Sequence, residues 1–286
     1  MAYEQTQNQS RDALQQSGFD AATVNNLLNQ LTQAGVFEGG TATFSSVGSG
    51  TADAGSDIVV IDNPTGVITT NLGARVVDGL NETANITINT AGSNDKFVAT
   101  GSGNDTITDT GGGDDFVFSG AGNDTITGAA GDDTLVGGGG NDLIGGGEGA
   151  DLLSGENGDD YLVGDAGDDT ILGGDGSDTV YGGDGADVIF GGGGNDTLVS
   201  GAGDDFVAGQ DGDDIIVVGS QAGGGDDTID GGSGSDQVAF TGVAISDATI
   251  TSANGVVTVV IGNDTYTISS VETLVFTDGT IDTESL

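Results

Sequence analysis

Gly173-Gly174-Asp175-Gly176-Ser177-Asp178-Thr179-Val180-Tyr181 is followed directly by Gly182-Gly183-Asp184-Gly185-Ala186-Asp187-Val188-Ile189-Phe190. The two nonapeptides share one pattern, and it extends both ways: from residue 110 to 217 a nine-residue unit repeats twelve times without insertion or deletion. Position four is Gly in every unit. Position six is always Asp: Asp115, Asp124, Asp133, Asp142, Asp151, Asp160, Asp169, Asp178, Asp187, Asp196, Asp205 and Asp214. Position eight is always aliphatic, from Val117 and Ile126 to Leu198, Val207 and Ile216. A fixed short period of this kind marks a chain that coils on itself, one small structural unit per repeat.

Each unit supplies one turn and one very short strand, and two units make one coil of a flattened spring with position eight inside. Positions seven to nine are rich in Thr, Val, Ile, Phe and Tyr, as in Phe116-Val117-Phe118, which suits a pleated strand. The glycines supply turn conformations that other residues adopt only at a steric cost. The Asp residues need a separate reason. The twelve units hold 24 carboxylates and no Lys or Arg, and two such charges about 5 Å apart repel by roughly 1 kcal/mol in water and several times more beside a low-dielectric surface. One aliphatic residue per unit is a thin core to set against that repulsion, so the metal-free stretch is expected to be unfolded. A hard divalent cation between stacked turns answers it, because Ca²⁺ accepts carboxylates together with main-chain carbonyls. One ion between turns n and n+2 gives 12 − 2 = 10 sites, and ten ions bring +20 against −24. Binding energy then appears as folding energy.

The stretch resembles the RTX (hemolysin-type calcium-binding) repeat, whose G-G-x-G-x-D-x-U-x pattern the two quoted nonapeptides match at every position. The resemblance implies an all-β fold, a parallel β-roll (β-solenoid), with about ten or more Ca²⁺ held by the position-six carboxylates and by loop carbonyls. Position two departs from Gly at Ala129, Glu156, Asp165 and Gln210, which sets those turns apart. A Gly-rich linker has no reason to keep Asp and an aliphatic residue in register twelve times. No twelve-residue loop closes with the Glu of an EF-hand.

Outside the regular units, residues 1–40 predict a short helical segment, with Asp20 as an N-cap and Val24, Leu27, Leu28 and Leu31 as one apolar stripe. Residues 41–99 predict an irregular β segment leading into the solenoid, with strands over 57–62, 66–70, 74–78 and 85–90. Asp95 and Asp105 precede Asp115 at ten-residue spacing. Degenerate units, each one residue longer, therefore begin near residue 90, and Asp105 joins the candidate ligands ahead of Asp95. The roll is expected over 100–239, because after a four-residue insertion at 218–221 two further units place Asp227 and Asp236 in register. Residues 240–286 predict a C-terminal β cap, with strands over 255–261, 264–269 and 271–276. The run from Val271 to Thr280 is similar to the segment that follows the repeats in type I secretion substrates, which implies an uncleaved export signal there.

Composition bounds the function. The formal charge is −43, with Arg11, Arg75 and Lys96 the only bases, which excludes nucleic-acid binding and disfavours anionic membrane surfaces. There is no Cys, and the first residues lack the positive and apolar regions of a cleavable leader. No apolar run approaches a membrane span. His is absent, which removes the zinc-protease and Ser-His or Cys-His arrangements, so no enzyme is expected. The expected role is a secreted or cell-surface calcium-binding protein exported without a leader, with calcium ions and the type I secretion machinery as partners and self-association at the surface or in a biofilm matrix. The competing expectations are a secreted effector or pore-forming protein and a carbohydrate- or ice-binding module using outward Thr residues such as Thr125, Thr134 and Thr179. Alternate units share a face, which points Phe116, Phe118, Leu152, Leu172, Val188, Phe190 and Phe206 outward, either as a contact surface or as a face covered by 41–99 or 240–286.

Overall fold

The computed structural model describes residues 85–93, 95–219 and 224–286, together with the backbone of five strands between residues 44 and 78. The helical segment expected at 1–40 lies outside the described residues. Within the roll the strands are longer than positions seven to nine. Each runs on through positions one to three of the next unit, giving six-residue strands such as Thr170–Asp175, Thr179–Asp184 and Val188–Gly193. The glycines at positions one and two weaken a strand in isolation, but here the coils above and below supply ladder partners throughout. Positions four to six alone make the turn.

Successive strands go to opposite sheets, so the chain climbs by two strands per coil. Among the described residues this gives two sheets, of fourteen and thirteen strands. Pairing in the roll is parallel and in unbroken register: Ile171 sits beside Ile189, and Val180 beside Leu198, each eighteen residues on. Position eight from both sheets fills the interior, where Leu135, Ile144, Leu153, Leu162, Ile171, Val180, Ile189 and Leu198 have no exposure. Positions seven and nine face outward, partly or fully exposed except at Ala99 and Ala208.

Coil length varies on both sides of the regular units without breaking the ladder. Just before them the coils are nineteen residues, with Ile88 beside Ile107 and Phe97 beside Phe116, and earlier steps are twenty-one, from Val76 to Phe97, and twenty, from Gly66 to Ile86. Across the insertion the step is twenty-two, from Val207 to Ile229. The position-two departures alter nothing: Ala129, Glu156, Asp165 and Gln210 hold φ of 82°, 72°, 74° and 78°, the left-handed backbone that Gly takes at neighbouring turns. Those turns are therefore not set apart in shape, and the stacked neighbours hold non-Gly residues where L side chains are disfavoured.

Both ends continue the stack. Strands Phe44–Val47, Ile58–Ile61 and Val76–Asp78 lead in order to Phe97–Ala99 on one sheet. At the other end Asp264–Ser269 pairs in parallel with Asp227–Ser233, then carries Val256–Ile261 and Ala248–Ala253 as antiparallel partners. Thr273–Phe276 adds to the second sheet, with Gly279–Asp282 antiparallel beside it. The rings of Phe240, Tyr266 and Phe276 plug this end, Phe240 lying 4.9 Å from Phe276 and 5.2 Å from Tyr266. The described parts of 41–99 and 240–286 thus extend the sheets instead of folding back over a face, which corrects the expectation that they cover the outward apolar residues. Among the described residues no helix is long and apolar enough to cross a membrane.

Candidate metal centre

A three-residue turn between parallel sheets leaves several main-chain N–H groups to be satisfied. The roll does this between coils. The position-four N–H donates to position three of the coil above, as Gly140 does to Asn157 O at 2.8 Å; the position-seven N–H donates to the position-six carbonyl of the coil below, as Thr179 does to Asp160 O at 2.8 Å. The position-six N–H donates to Oδ1 of the Asp one coil above: Asp142 to Asp160 at 2.7 Å, Asp160 to Asp178 at 2.8 Å and Asp178 to Asp196 at 2.8 Å. The position-six residues thereby form two rows, one along each edge of the roll. Asp115, Asp133, Asp151, Asp169, Asp187, Asp205 and Asp227 make one row. Asp105, Asp124, Asp142, Asp160, Asp178, Asp196, Asp214 and Asp236 make the other. The second row ends on Glu272, whose Oε2 accepts the Asp236 N–H at 2.7 Å.

Position five carries a second ladder that the pattern of acids alone does not suggest. Here the side chain accepts the N–H of position five one coil above, as Asn123 does from Asn141 at 3.1 Å and Asp159 from Ser177 at 2.9 Å. The signal in the sequence was the near-restriction of this position to Asp, Asn, Ser and Ala. These groups are exposed, and they orient the turn from outside while position six works from within.

The position-six carboxylates are buried, and only one oxygen of each is used. Oδ2 has no hydrogen-bond partner in thirteen of the fifteen, all but Asp115 and Asp227. A buried, unpaired carboxylate oxygen is costly, and its repetition at the same place in thirteen turns points to an absent partner. The place is visible from the glycine at position one. A Cβ built on Gly155 would lie 2.1 Å from Asp160 Oδ2 and 2.6 Å from the carbonyl oxygen of Gly173 one coil above. On Gly164 it would lie 2.3 Å from Asp169 Oδ2 and 2.5 Å from Gly182 O. Gly at position one keeps open a space faced by one carboxylate oxygen and one main-chain carbonyl. Among the described residues no three acidic side chains converge on a point, so a cation here draws most of its ligands from carbonyls, a donor set suited to Ca²⁺ and unsuited to thiolate- or imidazole-seeking metals.

Without a cation the carboxylates resist ionisation. Burial pushes Asp133, Asp142, Asp169, Asp178, Asp205 and Asp227 up to about 7, partly offset by the N–H on Oδ1 and reinforced by neighbouring acids. Asp196 rises to about 6 for the same leading reason. Asp115 also reaches only about 6, because the Lys96 ammonium works against its burial.

The structure brings all fifteen candidate residues into the two rows. It corrects the reading of the early units. Asp105 stands in register as expected, but the residue one coil below Asp115 is Lys96, whose N–H donates to Asp115 Oδ1 at 2.9 Å. Asp95 occupies position five and accepts from the Asp114 N–H. The extra residue of each nineteen-residue coil is taken up at the end of a strand, at Thr90 and Asp109, so the ten-residue spacing of Asp95, Asp105 and Asp115 did not report a common position.

Residues 109–239 match the RTX calcium-binding nonapeptide repeat, in segments 109–144, 145–180, 163–198, 190–222 and 221–239. No curated protein matches the chain. Among solved structures it is similar to an extracellular lipase, LipA, from Serratia marcescens, at 16% identity and a TM-score of 0.30, over 74% of this chain. The match spans 39% of the length of that lipase.

Proposed function

Residues 109–239 being RTX calcium-binding nonapeptide repeats, we propose that the chain is an exported protein whose roll is completed by calcium and which acts structurally at the cell surface. The observation that carries the calcium reading is the buried, unpartnered Oδ2 repeated along both edges. Calcium, when bound, supplies positive charge and a demand for several oxygen ligands. The chain does the rest: Oδ1 of each Asp ties its turn to the coil below, and Oδ2 faces the open space at position one. The position-six Asp residues whose Oδ2 is unpartnered are the proposed ligands, together with loop carbonyls. Where Ca²⁺ is scarce, the two rows repel and the chain is threadable. Export by a type I system follows from that, with its signal in 241–286; deletion of those residues should abolish export and leave calcium binding intact, and normal export would refute the assignment.

The structural role rests on the outer faces. Leu152, Leu172 and Phe206 are exposed on one sheet, with Phe190 against Phe206 at 5.8 Å, and Leu143, Tyr161 and Ile215 are exposed on the other. Once the carboxylates are neutralised, such faces favour lateral association of copies. Phe190→Asp should block calcium-driven assembly and spare monomer folding. A catalytic role is not proposed: His is absent and the buried acids are committed to the two rows. A flat Thr-rich binding plane is disfavoured because Leu143 and Tyr161 interrupt the column that carries Thr125, Thr179 and Thr197.

The test is light scattering after size exclusion, from chelator to about 10 mM Ca²⁺. An expanded monomer that compacts and then grows supports both parts. Compaction that stops at a monomer removes the assembly role and favours a soluble effector or ligand-binding module. Absence of compaction refutes calcium-dependent folding.

A further inference from the structure

Lys96 is buried, with 1% of its side chain exposed, and it holds position six, where every later unit has Asp. Its ammonium reaches Asp115 Oδ2 at 3.3 Å, Asp109 Oδ1 at 3.2 Å, and the carbonyl oxygens of Gly112 at 3.0 Å and Gly92 at 3.2 Å. Those partners are two carboxylates and two loop carbonyls, the kinds of oxygen donor that face the open space beside a position-one Gly such as Gly155 or Gly164. Asp115 belongs to the row whose next members, Asp133, Asp151 and Asp169, all leave Oδ2 unpartnered. Asp115 does not, because the ammonium sits on it. Asp109, the extra residue of its coil, adds a carboxylate that the regular turns lack, and Thr90 holds that carboxylate by donating its hydroxyl to Oδ1 at 2.6 Å. A buried ammonium is tolerated only when paired and hydrogen-bonded, and here two carboxylates and two carbonyls surround it.

We propose that the Lys96 ammonium is a resident cation at the first turn of this edge, occupying the place that calcium takes at the turns above, so that this turn is neutralised by the chain itself and binds no metal. The inference rests on the calcium reading of the later turns. It assigns Lys96 and Asp109 as a pair: one brings the charge and the other completes the cage. The row of metal sites on this edge therefore begins at Asp133. Its lowest described turn is the one whose charge balance does not depend on the calcium concentration.

Calcium counting by native mass spectrometry on the full chain, with a parallel circular-dichroism titration, tests this. Lys96→Ala leaves Asp109, Asp115 and the two carbonyls around an emptied space and should bind one ion more than the wild type. Lys96→Met fills the space without charge; it should bind the wild-type number of ions and fold only at higher calcium. An alanine variant that binds no additional ion, or a methionine variant with an unchanged folding midpoint, overturns the proposal. If the wild type itself binds no calcium, the reading of the roll fails, which is a separate outcome.

Discussion

Replacing Gly155 by Ala isolates the space on which the metal reading depends. Gly155 is not in a left-handed conformation, so Ala meets no backbone penalty there, and any effect comes from what its methyl touches. That methyl would lie 2.1 Å from Asp160 Oδ2 and 2.6 Å from Gly173 O, both far inside van der Waals contact. Main-chain carbonyls in a stacked coil move little, so the carboxylate must give way. Swinging Asp160 aside strains or breaks its bond from the Asp142 N–H, now 2.7 Å. Overpacking costs about 1–3 kcal/mol and loss of a hydrogen bond to a charged group about 1.5–3 kcal/mol, so about 2.5–6 kcal/mol is expected, with loss of one bound ion. The matched control is Gly145→Ala, a strand position where an added Cβ meets nothing within 4 Å. Native mass spectrometry and calcium-titrated circular dichroism read both quantities. A Gly155→Ala protein with the wild-type ion count and folding midpoint would refute the assignment of this space to a cation.

Three further outcomes follow from the same geometry. Burial raises the position-six carboxylates, Asp133 and Asp178 to about 7 against an ordinary 3.8, so between about pH 4 and 7 the folded roll binds more protons than the unfolded chain; acidification through that window should therefore favour the metal-free fold and weaken calcium binding, as hydrodynamic radius in metal-depleted buffer at pH 8 and pH 5 will report. Gln210→Gly removes a left-handed L residue (φ 78°) and should stabilise the calcium-bound roll by about 0.5 kcal/mol, the backbone relief exceeding the entropy that Gly adds to the unfolded chain; a lowered Tm would count against strain at that turn. Glu272→Ala removes the acceptor on the Asp236 N–H and should cost about 1.5 kcal/mol, with faster hydrogen exchange at Asp236 and none of that change at Asp160.

The roll and its two Asp rows were legible because a period of nine fixes everything that repeats: the inward residue, the turn and the acid all follow from counting. Legibility failed where the period slipped by one. Asp95, Asp105 and Asp115 are evenly spaced in sequence, yet Asp109 is an extra residue at the end of a strand, so Lys96 falls into register and Asp95 does not. Spacing alone cannot show which side of a turn absorbs an extra residue; the ladder decides it. The position-five ladder was hidden for a different reason. Exposed Asp and Asn in a turn look like ordinary solvated residues, and their role as acceptors for the coil above exists only once the coils are stacked.

The coils of eighteen, nineteen and twenty-two residues bear on how such a chain changes length over generations. Every contact that defines a coil is made to the one directly above or below, and extra residues leave at the end of a strand without disturbing the next pairing. A duplicated coil brings its own acids, its own inward aliphatics and its own acceptors, and requires nothing new of the ends. Gains and losses of whole coils should therefore be nearly neutral, and homologues should differ in roll length by steps of about eighteen residues while the plug around Phe240, Tyr266 and Phe276 stays constant.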